Sequence, residues 1–355
     1  MVIQLRRLFV VLVMLVSILL VCTYLCTTVS SNAPKYSPQS NAYPDFWLKY
    51  QLNELRKLNP PTPEEFTDNF LEEWSKNENN WCERGAHRLE CQVTCTYRNR
   101  SLIDIPTEHL RHLIIIPYRK RAENLNELLP RIYKMLVDQQ VCFLIVIAEQ
   151  DGEGVFNKGA LMNGAFIEAL DYFPFHCVTL HDVDLIPLDD RISYRCSTFP
   201  RHNSVSVDTL KGRLPYVELI GGVLMMPVKM FLRVNGYSNF YWGWGGEDDD
   251  MYASEIPITR ADLNVARFHM LPHKTSLVLK SRWRFRALQN CQQRLRLDGL
   301  NTVNFSTVLR ESYSTWTTRS KQPAANLPVS NTSMTILHFL IDVGVIPKFL
   351  QPAAS

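Results

Sequence analysis

Cys177-Val178-Thr179-Leu180-His181-Asp182-Val183-Asp184-Leu185-Ile186-Pro187 sets an apolar run directly against two carboxylates one residue apart. The run predicts a buried strand from Cys177 to Leu180, with Asp182 and Asp184 just beyond its carboxyl end. In an open α/β sheet that end is where ligands bind. Two acids there suit a strongly anionic ligand only if a divalent cation is bridged between them. A nucleotide-sugar diphosphate is such a ligand. Asp184 is then expected to ligate the metal, while Asp182 hydrogen-bonds the ribose or the sugar. This motif alone leaves open a plain alternative, a solvated turn after a strand.

Upstream, Leu113-Ile114-Ile115-Ile116-Pro117 reads as a first buried strand, and a second runs from about Cys142 to Ala148. Between them Leu125, Leu128, Leu129, Ile132 and Leu136 recur at helical spacing, with Pro130 expected to kink or split the helix. Leu161, Ala165, Phe166, Ala169 and Leu170 form the stripe of a second helix. Alternating strands and helices predict right-handed crossovers and a parallel sheet.

Downstream, Tyr241-Trp242-Gly243-Trp244-Gly245-Gly246-Glu247-Asp248-Asp249-Asp250 is far less easily met by chance. Two tryptophans among three glycines offer flat faces for stacking on sugars, on a backbone able to swing as a lid. Four consecutive acids repel one another if buried together, so some must meet donors, substrate hydroxyls or a cation. The alternative places the tryptophans in the core and the acids at a solvated helix start.

The amino-terminal end carries a different signal. Arg6 and Arg7 precede Leu8 to Val29, which contains no charged residue. As a helix rising about 1.5 Å per residue, that stretch matches a bilayer core of about 30 Å. Positive charge on its amino side only predicts a cytoplasmic tail (1–7), a transmembrane signal anchor (8–29) and a lumenal remainder. A cleaved secretory signal is the competing reading. Residues 30–80, with Pro34, Pro38 and Pro44, read as an extended lumenal stem before a catalytic domain at 81–350. Seven lumenal cysteines fit an oxidising compartment. Cys82, Cys91 and Cys95 lack zinc-site spacing and point to disulfides, with the pairing among them, Cys142 and Cys291 left open. Asn99 and Asn331 are candidate glycosylation sites; Asn304 is discounted because its stretch looks like a strand. A net charge of +3 gives no reason to expect a nucleic-acid partner.

Phe156-Asn157-Lys158, His181 to Pro187, Tyr194-Arg195-Cys196, Leu214-Pro215-Tyr216-Val217, Gly221-Gly222 and Tyr241 to Asp250 occur in the order seen in β-1,4-galactosyltransferases, and the chain resembles that family from about Ile114 to Asn301. The resemblance implies an α/β GT-A fold, a Rossmann-like mixed sheet behind the single transmembrane helix, anchored in the Golgi membrane. It implies Mn²⁺ held by Asp184, Met270 and His273, the thioether suiting an ion softer than Mg²⁺. Pro117, Tyr118, Arg119, Arg121, Phe156, Lys158, Asp182 and Val183 resemble the family's donor contacts. Lys158 stands where the family usually has Arg, keeping the charge but losing the two-point grip.

By the same resemblance Asp248 is the base that takes the acceptor proton, and Glu247 holds donor or acceptor sugar. Trp244 is the lid residue touching both sugars. Tyr216, Gly222, Gly246, Arg284, Phe285 and Leu288 complete the acceptor site, and Cys177 pairs with Cys196. The implied reaction is a single inverting displacement onto the 4-hydroxyl of a terminal β-GlcNAc of a glycoprotein or glycolipid. Leu219 replaces a tyrosine of the galactose-transferring members, which makes room at C2 of the donor. UDP-GalNAc is therefore the expected donor, with UDP-Gal as the alternative. A non-catalytic sugar-binding protein and a xylose-extending enzyme of the same family are weaker alternatives. Homodimerisation or an accessory partner stays open, and the stretch from Arg310 to Ser333 looks like an insertion.

Overall fold

A computed structural model describes residues 52–53, 55–57, 59–83, 105, 109–243, 245–272, 282–313, 322–323 and 336–345. The chain separates into units 1–47 and 48–355. The tail, the proposed anchor, Asn99, Asn331, Trp244 and His273 lie outside the described residues. Among the described residues no helix is long and apolar enough to cross a membrane.

The centre of the fold is built from the apolar runs singled out above. Strand β1 (Arg111–Tyr118) lies between β2 (Cys142–Gln150) and β3 (Cys177–His181), parallel to both. Helix α2 (Ala122–Asp138) and helix α3 (Lys158–Ala169) make the crossovers. Asn157 caps α3 by accepting from the Ala160 amide at 3.0 Å, which satisfies one of the unpaired donors of the first turn. Side chains of β1 alternate faces: Leu113 and Ile115 pack towards α3, and Ile114 and Ile116 towards α2.

Beyond β3 the chain forms β4 (Leu185–Pro187), β5 (Arg201–His202), β6 (Ser206–Val207), β7 (Val223–Pro227), helix α4 (Val228–Arg233), helix α5 (Glu247–Tyr252), β8 (Thr259–Arg260) and β9 (Arg267–Met270). Helices α6 (Arg282–Gln289) and α7 (Cys291–Arg294) follow, then β10 (Ser306–Tyr313), β11 (Gln322–Pro323) and β12 (Ile336–Asp342). The large sheet runs β11-β10-β12-β2-β1-β3-β7-β5-β8, and a small second sheet runs β4-β9-β6.

Only the middle of the large sheet is parallel. β12 joins β2 in parallel, whereas β7 pairs with β3, and β10 with β12, in antiparallel fashion. The sheet is therefore mixed. The stretch that looked like an insertion supplies β11 and part of β10, so it extends the sheet beyond β12.

Three expectations need correction. Helix α2 is not split at Pro130 but runs through it; the exposed proline forfeits one backbone bond, while Leu125, Leu128, Leu129, Ile132 and Leu136 all bury on one face on both sides of it. The extended stem predicted to residue 80 gives way to helix α1 (Pro63–Glu83). Thr62 and Glu65 form a capping box there, with Pro63 in the first turn. Phe66, Phe70 and Trp74, four residues apart, give α1 an apolar stripe: Phe70 stacks on Phe166 at 5.1 Å and Trp74 Nε1 donates to the Phe175 carbonyl at 2.8 Å. A buried Glu78–Arg111 ion pair at 2.5 Å fastens its far end. Finally, Asn304 sits exposed just before β10, so a strand is no reason to discount it.

Candidate active site

The carboxyl ends of β1, β2 and β3 meet at one edge, and the residues expected at the donor gather there. Arg119 follows β1, stacks its guanidinium over the Phe156 ring at 5.1 Å and donates to the Gly154 carbonyl at 2.6 Å. Arg121 reaches Asp184 at 3.2 Å. Tyr118 is half-buried at the end of β1, where burial raises its phenol pKa, and Pro117 is buried beside it. The Val183 side chain is committed to the apolar layer around Ile114 and Ile116, which leaves its backbone to meet a donor.

Asp182 is fixed from two sides. Its amide donates to the Gly222 carbonyl at 2.8 Å, and one carboxylate oxygen lies 2.7 Å from Lys158 Nζ. Gly222 has φ +91°, and a Cβ there would meet Ser204 Oγ at 2.5 Å, so only glycine closes this joint. Lys158 also reaches Glu247 at 3.3 Å. Burial by itself lowers the Lys158 pKa, but the Asp182 and Glu247 carboxylates outweigh it and hold the ammonium well above its ordinary value.

Antiparallel pairing of β4 with β9 places Leu185 opposite Met270. The Leu271 amide donates to the Asp184 carbonyl at 2.7 Å, so Asp184 and Met270 share one edge. Thr209, on a 3₁₀ turn, donates its hydroxyl to Met270 Sδ at 3.3 Å, and Asp208 accepts from the Met270 amide at 3.1 Å. The pairing thus sets the residues Asp184 and Met270 at the adjoining ends of neighbouring strands, and a carboxylate and a thioether are donors that a Mn²⁺ ion can accept. The described residues hold no cluster of three His, Cys, Asp or Glu that could bind a metal, and the third expected ligand, His273, lies outside them.

The acids of the third motif open helix α5. Glu247, Asp248 and Asp250 are buried, and Asp249 accepts from the Tyr216 hydroxyl at 3.0 Å. Asp248 has its pKa pushed up to about 7, first by burial and then by the neighbouring Glu247 and Asp249 charges. Its carboxylate lies against Gly221, where a Cβ would come within 2.5 Å of Oδ2. Gly246 takes φ +99° with Tyr241 on one side and Arg284 on the other. Arg284 donates to the Trp242 carbonyl at 3.4 Å, and Leu288 is half-buried one turn further along α6. The Phe285 side chain lies outside the described residues.

Residues 104–197 match the pattern of the N-terminal region of glycosyl transferase group 7, and residues 201–274 match the N-terminal domain of galactosyltransferase. The chain is 38% identical over 209 residues to mouse β-1,4-galactosyltransferase 1, a stretch covering 58% of this chain and 52% of that protein. It is 37% identical over 198 residues to mouse β-1,4-galactosyltransferase 2, covering 54% of each.

The chain belongs to the β-1,4-galactosyltransferase family.

The match spans about half the length of these curated relatives. Among solved structures, the catalytic domain of Drosophila β-1,4-galactosyltransferase 7 in complex with xylobiose aligns with a TM-score of 0.52 at 21% identity, covering 67% of this chain and 95% of that one. A variant of the same Drosophila enzyme, in complex with manganese, UDP-Gal and xylobiose, aligns with a TM-score of 0.51 at 22% identity. These likenesses establish the fold.

In this family member Cys177 and Cys196 are disulfide-bonded as the resemblance implied, bracketing the Asp182–Asp184 turn. Cys142 is disulfide-bonded too, while Cys291 is a buried free thiol. Two arginines escaped the sequence analysis. Arg294, 1% exposed, pairs with Asp250, lies 2.9 Å from Asp298 and donates to the Tyr241 hydroxyl at 3.0 Å. Arg260 contacts backbone carbonyls of the loop that carries Tyr216 and Leu219. Their signal is tertiary: nothing in the local sequence distinguishes either from a surface arginine.

Proposed function

We propose that the chain is an inverting, Mn²⁺-dependent glycosyltransferase that moves GalNAc from UDP-GalNAc to the 4-hydroxyl of a terminal β-GlcNAc. The observation that carries it is the meeting of the Asp182–Asp184 turn with the Glu247–Asp250 helix through Lys158, which supports reading the turn as a diphosphate site beside a buried carboxylate. The Drosophila relative's complex with manganese and UDP-Gal supports the donor and metal class.

Asp184 and Met270 would hold the ion, with His273 as the expected third ligand; bound there, Mn²⁺ supplies charge neutralisation for a departing diphosphate. Arg119 and Arg121 orient the nucleotide, and Asp182 receives a hydroxyl of the ribose or sugar. Asp248, its pKa raised to about 7, takes the proton of the acceptor 4-hydroxyl as that hydroxyl's oxygen attacks the anomeric carbon and UDP leaves. Leu219, half-buried beside the acidic helix, leaves more room for a C2 acetamido group than a tyrosine does. In the cell, residues 8–29 anchor the chain in the Golgi membrane with the catalytic part in the lumen.

The test uses the full chain in detergent micelles, a terminal GlcNAc acceptor, and UDP-GalNAc or UDP-Gal. Transfer should vanish on exhaustive chelation, return with Mn²⁺, and favour UDP-GalNAc. Metal-independent transfer defeats the metal assignment, and a strong galactose preference defeats the assignment of Leu219.

A further inference from the structure

The loop from Leu214 to Gly222 forms no strand or helix, yet it carries Tyr216 and Leu219 against the acidic helix. Val217 in its middle is 73% exposed, so apolar burial anchors the loop only at Ile220, which is buried in the core next to Leu219. Polar side chains hold the backbone on either side of that anchor. Arg260, at the end of the edge strand β8, donates to the Leu219 carbonyl at 2.6 Å and to the Val217 carbonyl. The same guanidinium meets Nδ1 of His202, whose Nε2 is 2.8 Å from the Gly221 carbonyl.

The protonation pattern of that chain is determined. A carbonyl only accepts, so His202 carries its proton on Nε2 and offers Nδ1 to Arg260. Burial, followed by the Arg260 charge, lowers the His202 pKa to about 3, which keeps the ring neutral. Ser204 Oγ adds a donor to the same Gly221 carbonyl at 3.0 Å. Carbonyls 217, 219 and 221 of this irregular segment are thereby gripped by side chains, as a neighbouring strand would grip the carbonyls of its partner. Arg260 and His202 take the place of that strand.

We propose that Arg260 is the positioning residue that gives the chain its donor selectivity, by fixing the backbone of Leu219 and Gly221. Discrimination at C2 of a sugar requires a wall that cannot yield, because a loop free to recede admits both donors. Leu219 lies between two fixed points, Tyr216 on Asp249 and Gly221 against Asp248. Only the two-pronged, planar guanidinium can hold carbonyls 217 and 219 together; a lysine offers a single point of charge. The inference rests on the assignment of the loop to the donor pocket made above.

The experiment measures kcat/KM for UDP-GalNAc and UDP-Gal with full-length wild type, Arg260→Lys, Arg260→Gln and Leu219→Tyr, and with Leu219→Tyr combined with Arg260→Lys. The ratio between the two donors should narrow about tenfold in each single Arg260 variant, within the range one pocket contact sets. KM for the favoured donor should rise more than kcat falls. Leu219→Tyr should shift the ratio much less in the Arg260→Lys background than in wild type. An unchanged ratio in the Arg260→Lys enzyme, or equal Leu219→Tyr effects in both backgrounds, overturns the proposal. If wild type itself prefers UDP-Gal, the donor assignment fails, yet a narrowed ratio still supports the role of Arg260. Should either Arg260 variant fail to fold, the other carries the comparison. Failure of both to fold, while Leu219→Tyr folds, makes Arg260 a stability residue and also overturns the proposal.

Discussion

Lys158 Nζ lies 2.7 Å from Asp182 Oδ1, so the first residue of α3 is bonded to the turn that follows β3. The same ammonium reaches Glu247 at 3.3 Å, and the first acid of α5 joins the group. Three segments far apart in sequence are cross-linked by one charge. Lys158→Met leaves two carboxylates facing each other without a counter-ion. Loss of stability should be roughly 2 kcal/mol, below the cost of breaking a fully buried pair because Asp182 is partly solvated. Urea unfolding measures this, and a donor KM equal to wild type would show that the cross-link does not order the site.

Asp248 gives the molecule a pH dependence of definite sign. Its folded pKa of about 7 exceeds the ordinary carboxylate value of 3.8, so the folded state binds the proton more tightly. This group's contribution is therefore greatest below pH 3.8 and is lost as pH rises to about 7. Activity runs the other way, because a base must be unprotonated. The acid limb of the kcat/KM profile should fall near pH 7, and Asp248→Asn should abolish transfer while sparing UDP binding measured by calorimetry.

Gly221→Ala tests how closely the loop must approach the base. Its added Cβ would stand 2.5 Å from Asp248 Oδ2, closer than such atoms tolerate. The carboxylate must turn away, and kcat should fall at least about tenfold, as expected for a misplaced catalytic group. UDP affinity should stay within about twofold of wild type. Normal turnover would mean that Asp248 acts from another position.

Arg294→Met removes the cation between Asp250 and Asp298, both buried. A buried carboxylate left without its partner costs about 3–5 kcal/mol. Asp250 already has a pKa raised to about 6, chiefly by burial and against the lowering effect of Arg294, so in the variant it rises further and stability should be regained as pH falls and the carboxyl takes up a proton. Thermal unfolding at pH 5 and pH 7.5 reads the difference. Adding Asp250→Asn should recover part of the loss at pH 7.5, and no recovery would place the damage in the Asp298 contact.

The strands of the parallel centre were legible because they are uninterrupted apolar runs with acids at their ends. Ile114 and Ile116 must be buried wherever the chain goes, and Asp182 and Asp184 must then emerge at the sheet edge. Pro130 misled because a local rule was read without the helix's burial, which recruits Leu128, Leu129 and Ile132 to one face. Helix α1 was overlooked because prolines and charges dominate its surroundings, while the stripe of Phe66, Phe70 and Trp74 counts only once α3 offers Phe166 to receive it.

Sequence by itself determined the chemistry on offer: a carboxylate pair after a strand, a glycine-hinged run of acids, and the identity of the residue at position 219. These depend on residue type and near spacing, which local periodicity and charge repulsion expose. Tertiary structure alone decided which of these groups meet. Lys158 finds both Asp182 and Glu247, Arg294 neutralises Asp250, and Arg260 holds the carbonyls of the loop, all across separations of 20 residues or more. Such pairings follow from the docking of whole elements, whose free energy comes from apolar burial elsewhere in the fold, so no local pattern of charged residues could announce them.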